Sequence, residues 1–287
     1  MIVGILGVPL MVMAKLTLTS EDYCMAGDGL VCFGEYQLVA NLGVFSSIFI
    51  SLGVITGIVA VKTGINVGYT RKTLHFCSFF LPFAINKIFH INSNILLSMI
   101  KLWIVLFVFL CLTKTIRRYT YIPLIIFRSI DRPDDRPYTL AWLVSQFIAT
   151  SGVVSGLIVL WNYLDYQVTD LVLILTLIGG LGDGLAEPVG IRWGKHKYRT
   201  RAIYYKKRVC SGKFTRSYEG SAVVFVVALS TIAIFYRIFS IGQLIITFAT
   251  LPIVMTLAEA FSPRTWDTPF MYLIGGLLLT GILKIPL

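Results

Sequence analysis

One stretch of this chain limits its fold more than any other. Residues 38–61, LVANLGVFSSIFISLGVITGIVAV, carry no charged side chain. A helix of about 20 apolar residues crosses the hydrocarbon core of a bilayer, and it pairs all of its backbone groups within the segment. The run is continuous and does not alternate between apolar and polar residues, which favours a helix over a barrel strand. Residues 38–61 are therefore predicted to span a membrane as an α-helix.

Similar apolar runs recur along the chain, and the composition agrees with them. Hydrophobic residues make up 56% of the sequence and charged residues only 14%, whereas about a quarter of a soluble domain is charged. We predict an all-α fold, a polytopic transmembrane helix bundle of eight or nine spans. The eight main runs are 38–61, 74–90, 95–112, 138–161, 171–186, 218–236, 240–260 and 269–285. Residues 2–14 are apolar but short, and a ninth span, an interfacial helix and an uncleaved signal all fit them.

Basic residues are concentrated at one end of the predicted helices. Of the 25 Lys and Arg residues, 20 lie in 62–73, 113–137 and 192–216 or at Arg264. Loops rich in Lys and Arg stay in the cytoplasm, so this end is predicted to face the cytoplasm. The net charge of +11 then fits an anionic membrane face and phosphate ligands. No nucleic-acid-binding signature is present, and we expect no nucleic-acid partner.

The five cysteines do not form a metal-binding pattern. Cys24 and Cys32 share a polar loop, where a disulfide and two free thiols are both compatible with the sequence. Cysteine usage therefore leaves the redox environment of this loop open.

The strongest chemical signal is residues 179–221, where an apolar segment passes through glycines and an acid into a basic loop. Asp183 lies among these glycines and is a hard oxygen ligand of the kind that Mg²⁺ takes beside substrate phosphates. Between Arg192 and Arg216 there are ten basic residues and no acid, and such a loop attracts polyanions. Close helix packing also explains the glycines, and a topology signal also explains the basic loop. Together these features predict a nucleotide-phosphate and metal site at the membrane surface.

The order of residues in this region matches a known pattern. The residues concerned are Asp183, Ala186, Gly190, Gly194, Arg216, Ser217, Glu219, Gly220 and Ser221. This order resembles the D-x-x-A-x-x-x-G-x-x-x-G … K-S-x-x-G-S motif of the CTP-dependent lipid-alcohol kinases. That family comprises dolichol kinase, phytol kinase and CTP-dependent diacylglycerol kinase, and it is similar to the phosphatidate cytidylyltransferases.

Two further segments resemble the same family. Residues 71–75, RKTLH, are similar to its R-K-x-x-H segment, and residues 259–267, EAFSPRTWD, are similar to its closing E-x-x-S-P … D-N segment. Two positions depart from the family pattern. Arg216 replaces a Lys, which keeps the charge but presents a planar fork, and Thr268 replaces the Asn after the closing acid.

The resemblance implies an integral-membrane kinase that transfers the γ-phosphate of CTP to a membrane lipid alcohol. The acceptor would be a polyprenol, a phytol-like isoprenoid alcohol or diacylglycerol, and the cofactor would be Mg²⁺. The candidate catalytic residues are Asp183, Glu259, Asp267 and His75. The candidate metal ligands are Asp183, Glu187, Glu259 and Asp267. The candidate nucleotide-binding residues are Gly182, Gly184, Ala186, Gly190, Gly194, Lys213, Arg216, Ser217, Gly220, Ser221, Arg71 and Lys72.

The expected organisation follows from these assignments. Residues 1–61 are predicted to be an N-terminal accessory region with a polar non-cytoplasmic loop. Residues 62–287 are predicted to be the catalytic transmembrane domain, with a cytoplasmic nucleotide-binding loop at 187–217. The endoplasmic reticulum and a bacterial inner membrane both fit this topology.

Two other functions fit the same sequence. Cytidylyl transfer to a phospholipid would use the same nucleotide and metal but would release pyrophosphate and a CDP-lipid. A transporter whose glycines interrupt a helix at a binding site would need no nucleotide.

Overall fold

The computed structural model describes residues 24–25, 31–32, 35–88, 95–201, 204–205, 208–209 and 214–286, and describes side chains for 40–88, 100–101, 103–201 and 214–286. The predicted run 2–14 and the candidate Lys213 lie outside these residues. Backbone pairing sets Cys24 opposite Cys32 in a short antiparallel pair, but their side chains lie outside the described set.

The described chain is predominantly α-helical, which confirms the all-α prediction. Its helices are α1 (Glu35–Thr63), α2 (Val67–Ile88), α3 (Ile95–Cys111), α4 (Lys114–Arg117), α5 (Tyr121–Arg128), α6 (Thr139–Tyr163), α7 (Val168–Leu177), α8 (Gly184–Trp193), α9 (Tyr218–Ile234), α10 (Ile241–Phe261) and α11 (Asp267–Leu283). Its strands are β1 (Cys24–Met25), β2 (Val31–Cys32), β3 (Lys197–Thr200), β4 (Tyr204–Tyr205), β5 (Arg208–Val209) and β6 (Phe214–Ser217).

Within the described residues, four helical segments are long and apolar enough to cross a membrane. They are Ala40–Thr63, Thr139–Tyr163, Val168–Trp193 and Ile241–Phe261. Helices α9 and α11 are apolar but have 17 residues each. At 1.5 Å per residue such a helix is about 26 Å long, slightly shorter than a hydrocarbon core of about 30 Å. These helices fit a membrane protein, and their number is lower than the eight or nine predicted spans.

Helix boundaries agree best with the sequence where apolar runs end in polar loops. Helices α6 and α10 begin and end within two residues of the predicted runs 138–161 and 240–260. Helix α2 instead begins at Val67, so it includes polar residues that the predicted run 74–90 leaves out. Two of those residues pair with polar groups of other elements: Thr70 Oγ1 donates to the Ser129 carbonyl oxygen, and Lys72 Nζ donates to Asp183.

The run predicted to end near residue 186 continues as a helix through Pro188 to Trp193. Between α7 and α8 it widens into a π-helical segment, Ile178–Asp183, a feature that occurs often at functional sites. Glycines let neighbouring rings approach this segment closely. A Cβ on Gly179 would lie 2.7 Å from the Tyr272 ring, and one on Gly180 would lie 2.9 Å from the Phe80 ring.

The main hydrophobic core lies among helices α6 to α11. Trp161, Leu171, Ile174, Leu251 and Met255 are completely buried there. A smaller cluster that includes residues of α1 and α5 surrounds the buried Phe127. Facing outwards, side chains such as Ile55, Val159 and Ile245 are more than half exposed, as expected for helices that contact lipid.

A two-stranded hairpin replaces part of the loop predicted at 187–217. Strand β3 pairs with β6 in antiparallel register, with Lys197 opposite Ser217 and Tyr198 opposite Arg216. Helix α9 starts directly after β6. The hairpin therefore places Arg216 and Ser217 directly before the first turn of α9.

Candidate active site

A cavity of about 550 Å³ lies at the end of the bundle where α2, α9 and α11 begin and α10 ends. Its wall carries charges of both signs. The basic side chains are Arg71, Lys72, Arg132, Lys197, Arg216 and Arg264. The carboxylates are Asp134, Asp183, Glu187, Glu259 and Asp267. Six cations against five carboxylates leave the wall nearly neutral, although each individual group is charged.

Lys72 and Asp183 form a buried ion pair at the base of the cavity. Lys72 Nζ lies 2.8 Å from Asp183 Oδ2, and the two side chains are 4% and 5% exposed. His75, one helical turn after Lys72, lies beside this pair. Its Nε2 is 3.6 Å from Asp183 Oδ2 and 3.4 Å from the Gly179 carbonyl oxygen, and its ring packs against Phe79. The π-helical segment thus presents Asp183 to two residues of α2.

Glu187 joins two arginines at the side of the cavity. Arg71 Nη2 donates to Glu187 Oε2 at 2.7 Å, and Arg132 Nη1 donates to Glu187 Oε1 at 2.8 Å. Burial alone would lower the pKa of Arg71, but the Glu187 carboxylate outweighs it and raises that pKa above its usual value. Arg71 therefore stays charged in the cavity at any physiological pH.

Arg216 connects the hairpin to the closing acidic segment. Its Nη1 contacts the Glu259 carboxylate and donates to the Glu259 carbonyl oxygen at 2.5 Å. Its Nη2 lies 3.6 Å from Asp267 Oδ2. The guanidinium thereby brings Glu259 and Asp267, which come from α10 and α11, to the same side of the cavity. The fork of an Arg can make these contacts together, whereas a Lys offers a single point charge.

A hydrogen-bond relay reaches Glu259 from the hairpin. Ser221 Oγ donates to Glu259 Oε2 at 2.9 Å, and Tyr198 Oη lies 2.7 Å from Ser221 Oγ. A serine hydroxyl has one proton, so Tyr198 is the donor to Ser221. Burial and the Glu259 carboxylate raise the pKa of Tyr198, which keeps its phenol protonated as this relay requires.

Three of the candidate nucleotide-binding glycines make close helix contacts. A Cβ on Gly220 would lie 2.6 Å from the Ala186 carbonyl oxygen, and one on Gly190 would lie 2.8 Å from Ser217 Oγ. On Gly194 it would lie 2.8 Å from Ser217 Cβ. Ser217 caps α9 by accepting from the Gly220 amide. These residues line the cavity, and they also hold α8 tightly against the start of α9.

Two other candidate glycines point away from the cavity. A Cβ on Gly184 would lie 2.6 Å from the Phe76 ring, and one on Gly182 would lie 3.4 Å from the Val224 Cα. Their described neighbours are therefore helix-packing partners. Thr268 also has a helix-packing partner, because its Oγ1 accepts a hydrogen bond from Gln146 at 2.9 Å.

Comparisons of this chain with protein-family models, with curated proteins and with solved structures find no match. The roles of the site residues must therefore be inferred from the sequence pattern and from the geometry of the cavity.

The oxygen donors fit Mg²⁺ only when it arrives with phosphates. In the part of the chain that the structure describes, no three His, Cys, Asp or Glu residues converge as a metal cage. Mg²⁺ in proteins is usually held by one or two carboxylates together with waters and substrate phosphates. Asp183, Glu259 and Asp267 line the cavity, and Arg216 contacts both Glu259 and Asp267. They suit an ion that is bound jointly with a ligand.

Sequence reasoning missed three residues of this site. Arg132 and Arg264 line the cavity but contribute to the sequence-based prediction only as loop charges. Tyr198 completes the hydrogen-bond relay to Glu259, and the sequence-based prediction gave it no role. The run 131–137, DRPDDRP, is dense in charge and interrupted by prolines, and this was the signal available for Arg132.

Proposed function

We propose that this chain is a multi-pass membrane kinase that transfers the γ-phosphate of CTP to a membrane lipid alcohol. The acceptor would be a polyprenol, a phytol-like isoprenoid alcohol or diacylglycerol. One observation carries the proposal: Lys72, Asp183, Arg216 and Glu259 come from distant parts of the chain and line one cavity. These are the segments in which the sequence resembles the CTP-dependent lipid-alcohol kinases.

The ion pairs of the cavity support binding of a metal–triphosphate. Asp183 is held by Lys72, and Glu259 is held by Arg216. A triphosphate attracts the cations to its own oxygens, and the carboxylates that they release are the ligands that Mg²⁺ takes beside phosphates. A ligand that carries both signs of charge can replace the internal pairs without leaving a buried charge unpaired.

Phosphoryl transfer asks little covalent chemistry of a protein and depends on positioning and electrostatics. The hydroxyl oxygen of the lipid forms a bond to the γ-phosphorus while the bond from that phosphorus to the bridging oxygen of CDP breaks. The hydroxyl proton passes to a carboxylate of the cavity. We assign Asp183, Glu259 and Asp267 to the metal and the proton, and His75 to orienting the hydroxyl. When bound, Mg²⁺ would neutralise charge on the phosphates.

We further propose eight or nine spans with the cavity at the cytoplasmic end. The basic residues that predict this orientation include Lys197 and Arg216, which line the cavity. CTP would then reach the site from the cytoplasm. The lipid would enter from the bilayer beside α8, where Leu185 and Ile191 are both 38% exposed.

Purified protein in lipid nanodiscs, supplied with Mg²⁺ and a panel of lipid alcohols, tests the proposal. CTP labelled at the γ-phosphate should label the lipid, and CTP labelled at the α-phosphate should not. Asp183→Asn should abolish the transfer. Asp165→Asn is the matched control, because Asp165 is exposed, lies outside the cavity and has the positive φ of 57° that Asn tolerates well.

The possible outcomes separate the candidate functions. Label from the α-phosphate in the lipid would indicate cytidylyl transfer. Transfer that persists undiminished in Asp183→Asn would remove the metal assignment. Absence of transfer from CTP and from ATP, together with solute counterflow in liposomes, would favour a transporter.

A further inference from the structure

Three arginines form a connected cluster on one side of the cavity. Arg132 Nε lies 2.6 Å from Asp135 Oδ2, in addition to the bond from its Nη1 to Glu187. Arg264 Nη2 lies 3.3 Å from Asp135 Oδ1. With Arg71 on the other oxygen of Glu187, the chain of contacts runs Arg71, Glu187, Arg132, Asp135, Arg264. We call these five residues the arginine cluster.

The arginine cluster contains more buried positive charge than negative charge. Its three guanidiniums share two carboxylates, and all three arginine side chains are 12% to 14% exposed. Asp134 lies 3.7 Å from Arg264, but its side chain is 72% exposed, so water screens most of its effect. Burial and the neighbouring Arg132 lower the pKa of Arg264 to about 10. Within these five residues, the buried positive charges therefore outnumber the buried negative charges by one.

Two donors of the cluster are buried without a hydrogen bond. Among the described residues, Nε of Arg71 and Nε of Arg264 have no acceptor. Arg264 is also held in place by Phe214, whose ring centroid lies 4.2 Å from the guanidinium carbon. A buried donor without an acceptor destabilises the protein. Both arginines line the cavity, where an anion could supply the missing acceptors.

We propose that Arg132 and Arg264, together with Arg71, bind the triphosphate of the nucleotide. This inference rests on the proposed function and adds two residues that the family pattern does not assign. Guanidiniums bind phosphate oxygens through paired hydrogen bonds. The cluster fits nucleotide phosphates better than a phospholipid headgroup, because its three arginine side chains are only 12% to 14% exposed and line a cavity, not an open membrane-facing surface. The arginine cluster would thus be a second phosphate contact, in addition to Lys72 and Arg216.

Binding of labelled inorganic tripolyphosphate to the full-length protein in nanodiscs tests this inference. Arg132→Lys and Arg264→Lys keep the positive charge but replace the planar guanidinium, with its paired donors, by a single ammonium group. Each should weaken tripolyphosphate binding at least about tenfold, since a hydrogen bond to a charged group contributes about 1.5–3 kcal/mol. Arg136→Lys is the matched control, because Arg136 is 60% exposed and pairs with Asp131. This variant should bind tripolyphosphate as tightly as the wild-type protein does.

The results separate this inference from the proposed function. Unchanged binding in Arg132→Lys and Arg264→Lys, or an equal loss in Arg136→Lys, would overturn the inference. Wild-type protein that binds phosphatidate vesicles but not tripolyphosphate would also overturn it. Thermal unfolding of each variant identifies misfolding, and if Arg264→Lys does not fold, Arg132→Lys decides alone. If the wild-type protein binds tripolyphosphate but transfers no phosphate, the phosphate-binding role of the arginine cluster is supported and the proposed kinase function is contradicted. If both variants transfer phosphate with an unchanged KM for CTP, the kinase function is supported and the role of the cluster is contradicted.

Discussion

Lys72 Nζ lies 2.8 Å from Asp183 Oδ2, and the two residues are 111 positions apart in the sequence. Both side chains are almost completely buried. Removing two charges from water costs several kcal/mol for each ion, and only good geometry and additional contacts offset that cost. Such a pair is weak as a source of stability, but it places a carboxylate and a cation side by side in the wall of the cavity.

We expect Lys72→Met to be strongly destabilising. It leaves the Asp183 carboxylate buried without its closest cation, and breaking a buried pair in this way costs about 3–5 kcal/mol. The double variant Lys72→Met/Asp183→Asn should recover much of the loss. Unfolding in detergent by SDS titration measures both effects. Lys62→Met, at an exposed position, should stay within about 0.5 kcal/mol of wild type, and simple additivity of the two single changes would contradict the coupling.

Gly220→Ala should destabilise the contact between α8 and α9. The added methyl group would meet the Ala186 carbonyl oxygen at 2.6 Å, and backbone cannot move as freely as a side chain. Overpacking of this kind costs about 1–3 kcal/mol. Gly156→Ala is the control, because no described atom lies within 4 Å of its new Cβ and helix propensity favours Ala by up to about 1 kcal/mol. Equal melting temperatures for the two variants would argue against this account of Gly220.

Tyr198→Phe should weaken the hydrogen-bond relay to Glu259. It removes the donor to Ser221, a loss of about 1 kcal/mol in the free energy of unfolding, and it should reduce nucleotide binding because Glu259 and Arg216 are less firmly positioned. Tyr218→Phe is the control, since Tyr218 packs beside Tyr198 but is 63% exposed. Denaturant unfolding and CTP titration of both variants check the prediction, which fails if they behave alike.

Removal of divalent cations should lower CTP affinity, because Asp183, Glu259 and Asp267 then repel the phosphates. Asp267→Asn should raise the Mg²⁺ concentration needed for half-maximal CTP binding by about tenfold, the effect of losing roughly 1.4 kcal/mol. Asp134→Asn, which also lines the cavity but is 72% exposed, should change it much less. CTP titrations at fixed Mg²⁺ concentrations provide the measurement. A CTP affinity independent of Mg²⁺ would exclude a metal-linked site.

The long apolar helices were the most predictable part of the fold. Continuous apolar runs favour helices on local grounds alone, and α6 and α10 follow their predicted runs closely. The π-helical segment and the passage of α8 through Pro188 were not predictable in this way. In the π-helical segment, Gly179 and Gly180 pack against the rings of Tyr272 and Phe80, and these contacts join segments far apart in the sequence.

The candidate site was predictable to the extent that its residues resemble the motif of a known family. Asp183, Arg216, Glu259 and Asp267 were selected from that pattern, and the structure gathers all four around one cavity. Their roles in catalysis stay predictions. Gly182 and Gly184 match the glycine-rich segment equally well, yet they face helix neighbours. A sequence pattern cannot distinguish a glycine that leaves room for a ligand from one that leaves room for a side chain of a neighbouring helix.

By itself, the sequence determined that this chain is helical and apolar enough for a membrane, because hydrophobicity and backbone pairing act within each segment. It also placed most of the charge in a few loops. Only the tertiary structure decided which charges meet. Contacts such as those of Arg132 with Glu187 and of Arg264 with Asp135 join separate loops and helices, and their energies depend on distances that exist only after the helices have packed.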